Sequence, residues 1–139
     1  MPRYLPHLLL ILALFATGAC SRQQPILTIE QPLRTDSASF LDEQTMQQAL
    51  GRALTRNRWT IGEGQPGLLA ANMDFRGRHK IWISVEYAPD HYSILYRNSE
   101  NLGYADGKIH KRYNALVKKL HRTIRQELQM ARNLKALQQ

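Results

Sequence analysis

Apolar and polar residues alternate with a period of two through the middle of the chain. In the run 68–76 the odd-numbered residues are apolar, and the runs 80–87 and 92–97 repeat the alternation. β-Branched and aromatic residues dominate the apolar positions, which is typical of the buried face of a strand. Trp59 and Ile61 form a shorter run before these three. The pattern therefore predicts four consecutive strands, each with one buried face.

The turns between these strands are constrained, because a slip of one residue would move every side chain to the other face. Phe75 and Ile81 both fall on the inward face, so we expect an odd loop between them, of three residues, 77–79, or of five. At the next turn the inward-facing residues change from odd to even numbers, so we expect Tyr87 to lie opposite Tyr92. The four strands are therefore predicted to form an antiparallel meander.

A helical period flanks the predicted strands on both sides. Before them, apolar residues recur on one helical face after Asp42, the expected N-cap; they are Met46, Ala49, Leu50, Ala53 and Leu54. After them, a longer stripe runs to about Met130, with Asp106 as the expected N-cap; it comprises Ile109, Tyr113, Leu116, Val117, Leu120, Ile124 and Leu128. The predicted fold class is α+β: a four-stranded antiparallel meander with two helices packed on one face, in the order α-β-β-β-β-α.

The N-terminus has the pattern of a targeting segment. Arg3 precedes the apolar run 8–16, and three small residues, 17–19, lead to Cys20. The run has a length usual for a signal peptide and falls short of the roughly 20 residues that cross a bilayer. The small residues before Cys20 resemble the lipobox of bacterial lipoproteins. This resemblance implies cleavage before Cys20 and its acylation, and Ser21 implies transfer to the outer membrane.

A plain secretory signal is the alternative to a lipoprotein signal, and it would leave Cys20 as a single thiol in an oxidising compartment. The chain therefore divides into a signal peptide at 1–19, an acylated cysteine and tether at 20–40, and a single α+β domain at 41–139. Prolines, glutamines and the lack of a helical period predict the tether. Its apolar residues would also allow it to lie against the domain or to add an edge strand; they include Ile26, Leu27, Ile29 and Leu33.

A further pattern lies in the C-terminal half: Tyr92-Ser93-Ile94-x-Tyr96, Asn101-Leu102-x-Tyr104, Ile109-His110-x-x-Tyr113-Asn114 and Leu116-Val117-x-x-Leu120. This order resembles a family of small uncharacterised lipoproteins of Gram-negative bacteria. The resemblance implies a shared fold and a lipid anchor at the outer membrane, facing the periplasm. It implies no activity, substrate or catalytic residue.

We expect no enzymatic activity, no cofactor and no metal. His110 and His121 lie about 16 Å apart along the predicted helix, whereas zinc ligands lie about 2 Å from their metal. The sequence contains no nucleophile elbow of the Gly-x-Ser-x-Gly type. His110, Tyr113 and Asn114 are expected to lock the loop 99–106 to the helix. The alternative is a small enzyme or ligand-binding domain with a polar site near His110 and Tyr104.

The chain is strongly basic, with a formal net charge of +8 and a pI near 10.0. The expected anion-binding surface is one side of the last helix: Lys111, Lys118, Lys119, Arg122 and Arg125. Nucleic acid is the usual partner of such a protein, but an exported chain does not meet the chromosome. Anionic lipid is favoured, since each Lys or Arg near an anionic surface adds about 1 kcal/mol. Lipid A phosphates and an acidic envelope protein are the other candidate partners.

Trp82 and Leu95 are predicted to face outward from the sheet, on the side opposite the helices. They form a candidate contact patch, which gives a third hypothesis, a subunit of an envelope assembly. A lone aromatic residue among charges is the simpler interpretation of Trp82. The function expected first is a non-enzymatic lipoprotein, acting as a binding or envelope-structural module. The oligomeric state stays open.

Overall fold

The computed structural model of this protein describes residues 22–138. The predicted signal peptide and Cys20 lie outside the described residues. The strands are β1 (Gln23–Pro25), β2 (Ile29–Pro32), β3 (Thr60–Gln65), β4 (Leu68–Phe75), β5 (His79–Ala88), β6 (His91–Glu100) and β7 (Lys108–His110). The helices are α1 (Glu43–Arg56) and α2 (Lys111–Ala136).

Strands β3 to β6 follow one another as an antiparallel meander, and β2 adds to its edge beside β6, giving the order β2-β6-β5-β4-β3. Strands β1 and β7 form a separate two-stranded sheet. The α+β class is confirmed, but the predicted count of four strands is wrong, because the main sheet has five. The added strand supplies partners for the backbone groups of β6, which would otherwise form an open edge.

The predicted register holds at one turn and shifts at the other. Tyr87 pairs with Tyr92, as expected. The loop between β4 and β5 has three residues, as expected, but it comprises residues 76–78, because Phe75 pairs with His79. Arg76 and Gly77 both adopt a positive φ there, 59° and 64°, a conformation that glycine reaches without steric cost.

Both helices cover the same face of the five-stranded sheet, as predicted. Helix α1 packs over β3, β4 and β5 and buries all five residues of its predicted stripe. Helix α2 packs over β6, where the ring of Tyr113 meets Tyr96 edge-on at 5.5 Å. Asp42 caps α1, since its carboxylate accepts the Thr45 N–H at 2.8 Å. The core therefore lies between one sheet face and the two helices.

The start of α2 differs from the prediction. Ile109 belongs to β7 and pairs with Gln24 of β1, so the helix begins at Lys111 with His110 as its N-cap. Asp106 does not cap the helix and lies in the preceding turn with a φ of 49°. Pairing with β1 holds the residues before Lys111 extended, and this delays the helix by two residues.

Candidate anion-binding surface

One side of α2 carries exposed positive charge. All five basic residues predicted for this surface are exposed: Lys111, Lys118, Lys119, Arg122 and Arg125. At about 100° per residue, four of them fall within about 60° around the helix axis, and Lys119 lies next to these four. We call these five residues the basic stripe. The only acidic residue of α2, Glu127, is 3% exposed and turns toward α1, so the basic stripe contains no opposing charge.

The N-terminal segment is bound to the start of α2. The backbone N–H of Lys111 donates to the carbonyl of Arg22 at 2.7 Å. Asn114 accepts the N–H of Leu27 at 3.0 Å and donates to the carbonyl of Pro25 at 2.9 Å. Residues 22–33 of the segment predicted as a tether therefore pack along the domain. The expectation that Asn114 locks the loop 99–106 is wrong, because its partners belong to this N-terminal segment.

A groove of about 760 Å³ lies between the second half of α2 and the end of β2 with the two residues that follow it. Four arginines line it, and no acidic side chain does: Arg34, Arg122, Arg125 and Arg132. The other lining residues are amides and apolar side chains: Gln31, Gln126, Gln129, Asn133, Pro32, Leu33, Leu128 and Met130. We call this the arginine groove. It brings the last two residues of the basic stripe together with two arginines that the sequence did not single out.

Of these two arginines, Arg132 could have been predicted from the helical period, whereas Arg34 could not. Arg132 lies seven residues after Arg125 and continues the same side of the helix. A longer predicted helix would have included it, since α2 ends at Ala136 and not near Met130. Arg34 reaches the groove only because β2 pairs with β6, and nothing local in the sequence indicates that pairing.

Arg125 also acts on a partly buried pair of polar rings. The hydroxyl of Tyr92 lies 2.9 Å from Nδ1 of His121. Burial raises the pKa of Tyr92 to about 12, against a smaller opposing effect of Arg125. Burial lowers the pKa of His121, and the Arg125 charge lowers it further. Both effects favour the neutral imidazole, so arginine is the main carrier of positive charge in this part of α2.

His110 and Tyr104 have different side-chain contacts in the structure. Tyr104 stacks on Tyr96 with ring centroids 4.7 Å apart. His110 caps α2, and its Nδ1 accepts the N–H of Arg112 at 3.1 Å. His110 lines two small hollows, of about 210 and 370 Å³, and Tyr104 lines neither. Neither of these two hollows therefore joins the two residues that the sequence suggested as a polar site.

Trp82 and Leu95 lie on the face of the five-stranded sheet that the helices leave uncovered. Both are half-buried, and Leu95 pairs opposite Ser84. Arg97 crosses this face, donating to the Ser84 hydroxyl at 2.8 Å and pairing with Glu86 at 2.9 Å. Trp82 and Arg97 share a shallow hollow of about 360 Å³. The patch is therefore a mixture of apolar surface and paired charges.

Two further results concern residues 22–138 as a whole. No group of three or more His, Cys, Asp or Glu side chains in this range is placed to hold a metal ion. None of its helices combines the length and the apolar character needed to cross a membrane. Comparison of the chain with protein-family models, with curated proteins and with solved structures found no match.

Proposed function

We propose that this protein is a non-enzymatic lipoprotein of the bacterial outer membrane, acylated at Cys20 and facing the periplasm, whose basic stripe lies on anionic lipid. The hydrogen bond between the Lys111 N–H and the Arg22 carbonyl carries the proposal. Only Ser21 separates Arg22 from Cys20. Consecutive Cα atoms are about 3.8 Å apart, so the Cα of Cys20, the residue that would carry the anchor, stays within about 8 Å of the Cα of Arg22.

The basic stripe begins where this anchor would be held. Its residues from Lys111 to Arg125 extend about 21 Å along α2 at 1.5 Å per residue. A helix lying parallel to the bilayer would bring the whole stripe to the lipid headgroups. Several acyl chains hold a protein stably, whereas each basic side chain near an anionic surface adds only about 1 kcal/mol. The anchor therefore supplies attachment and the basic stripe supplies orientation.

Two measurements test the two parts of this proposal. In cells labelled with palmitate, the wild-type protein should carry the label in the outer membrane, and Cys20→Ser should not. The mature chain carrying Cys20→Ser should sediment with phosphatidylglycerol vesicles in low salt and lose that binding in high salt. Unlabelled wild-type protein would contradict the anchor, and a Cys20→Ser chain that ignores these vesicles would contradict the basic stripe.

A charge-matched pair of variants distinguishes the basic stripe from net charge. Lys118→Glu with Lys119→Glu should weaken vesicle binding about 30-fold or more, because two contributions of about 1 kcal/mol are lost and reversed. The control, Arg58→Glu with Arg78→Glu, changes the net charge equally at two exposed residues outside α2. Equal weakening by both variants would show that only net charge matters.

A further inference from the structure

The arginine groove has a composition that selects for anions. Among residues 22–138, neither Arg122 nor Arg125 has a carboxylate within 4.0 Å. Arg132 is held in place by the Ser39 carbonyl, to which its Nε donates at 3.2 Å. Arg34 pairs with Asp36 at 3.0 Å, but both side chains are exposed to water. Four arginines thus line one open groove, and only Arg34 among them is paired with a carboxylate in the described residues.

Phosphate is the anion that best fits this arrangement. Arg122 and Arg125 are three residues apart on α2, so their side chains begin about 5–6 Å from each other on the helix surface. Each guanidinium presents a planar fork that can donate two hydrogen bonds to phosphate oxygens. Side-chain amides of Gln126 and Gln129 add further donors to the lining. One phosphate group between the two arginines would be bound from both sides.

The groove also has an apolar wall. If only a free phosphate were bound, this wall would stay exposed to water. Leu33 is half-buried, and Met130 is 50% exposed. Methionine is flexible and polarisable, so it adapts to apolar ligands of irregular shape. A ligand with phosphate at one end and glycerol and acyl carbons at the other would cover both parts of the groove.

The position of the groove fits the same ligand. Arg122 and Arg125 belong both to the basic stripe and to the groove, so the two surfaces are continuous. Arg122 lies about 16 Å along the helix from Lys111. We propose that the arginine groove binds the phosphate-bearing headgroup of an anionic lipid from the leaflet that holds the anchor. This inference rests on the membrane location proposed above, and it adds a defined site to a surface that otherwise acts through charge alone.

The test uses the acylated protein in nanodiscs of phosphatidylcholine, so that attachment does not depend on the basic stripe. The probe is dihexanoylphosphatidic acid, kept below its critical micelle concentration, and inorganic phosphate and an oligoglutamate peptide are titrated separately. We expect saturable binding of the phosphatidic acid, with inorganic phosphate and the peptide each at least tenfold weaker. Binding of inorganic phosphate or of the peptide as tight as that of the lipid would overturn the proposal, in favour of a free-anion or an acidic-protein site.

Two double variants on the same helix complete the test. Arg122→Gln with Arg125→Gln removes two charges inside the groove, and Lys118→Gln with Lys119→Gln removes two charges outside it. All four side chains are exposed, and glutamine is a good helix former, so both variants should keep the wild-type melting temperature. We expect the arginine variant to weaken phosphatidic acid binding at least tenfold and the lysine variant less than threefold.

Equal weakening by the two variants, or none by either, would overturn the groove as a site. Such a result would leave the proposed function standing if vesicle binding still depended on Lys118 and Lys119. Conversely, saturable binding of the soluble lipid by the acylated protein, together with a Cys20→Ser chain that ignores anionic vesicles, would support the groove and contradict the basic stripe. The two failures are therefore distinguishable.

Discussion

Glu127 is a buried carboxylate that joins the two helices. It accepts hydrogen bonds from Arg52 at 2.9 Å and from Arg56 at 2.6 Å, and its side chain is 4% exposed. Burial by itself raises the pKa of this carboxyl, but the hydrogen bonds and charges of the two arginines outweigh burial and lower it. Since the pKa is lower in the folded state, the interaction stabilises the fold above the unfolded pKa. That stabilisation is lost as the pH falls through the folded pKa.

We therefore expect Glu127→Gln to reduce the free energy of unfolding by about 1.5–3 kcal/mol at pH 7, the usual contribution of hydrogen bonds to charged groups. The difference from wild type should shrink as the pH falls below the ordinary glutamate pKa of 4.5, because protonation then removes the charge from the wild-type residue as well. Urea denaturation at pH 7 and at pH 3 measures this difference in the free energy of unfolding. Glu63→Gln, at an exposed position of β3, is the control, and a difference independent of pH would contradict the assigned role.

At the scale of secondary structure, the predictable elements are those defined by residues close together in sequence. Helix α1 could be predicted with its cap and its buried face, because both depend on the local run from Asp42 to Leu54. For β2 the sequence left open only an added edge strand, and β1 was not predicted, because their partners are distant: Gln24 pairs with Ile109, and Ile29 with Ile94. Strands of three and four residues are also too short to show a clear alternation.

The structure differs from the prediction at two residues near the ends of predicted elements. Ile109 continues the helical period of α2, yet its pairing with Gln24 makes it part of a strand. Ile61 pairs with the buried Ala71 and so lies on the inward face as predicted, but β3 is an edge strand and Ile61 is 37% exposed. For the arginine groove, Arg122 and Arg125 were found, Arg132 was missed because the predicted helix ended too early, and Arg34 was missed because its contact across β2 is a tertiary effect.

Asn114 connects the N-terminal segment to α2, and this connection can be tested by hydrogen exchange. Asn114→Ala removes the acceptor of the Leu27 N–H and the donor to the Pro25 carbonyl. We expect a loss of about 1–3 kcal/mol for the buried groups left unpaired, with faster exchange concentrated in residues 23–27. Gln126→Ala, at an exposed position of α2, should leave that exchange unchanged. Faster exchange spread evenly through the domain would contradict a local connection.

At the scale of the molecule, charges are paired on one side and unpaired on the other. On the uncovered sheet face Arg97 pairs with Glu86 at 2.9 Å, and Lys80 lies 3.7 Å from Glu100. On the helix side the acidic residue of α2 is buried and paired with arginines of α1, so the basic stripe is left without counter-charge. The excess positive charge therefore concentrates on the surface where the described chain begins.

This asymmetry predicts how the protein orients on a membrane and which feature sets the orientation. A fluorophore at Ala115→Cys, exposed on α2, should be quenched by spin-labelled headgroups more strongly than one at Asp74→Cys on the uncovered sheet face. The short connection from Cys20 to Arg22 and the basic stripe both favour this result. Inserting twelve Gly and Ser residues between Ser21 and Arg22 separates the two causes, because a flexible linker of that length lets the domain turn freely.

With the insertion, the difference in quenching should disappear on phosphatidylcholine vesicles and persist on vesicles that contain phosphatidylglycerol. Replacing all five residues of the basic stripe by glutamine in the inserted chain should then abolish the difference on the phosphatidylglycerol vesicles as well, because no charge of the stripe would remain to orient the helix. Persistence on neutral vesicles would mean that another surface contacts lipid. Equal quenching of the two labels in the chain without the insertion would mean that the short connection does not hold α2 against the bilayer.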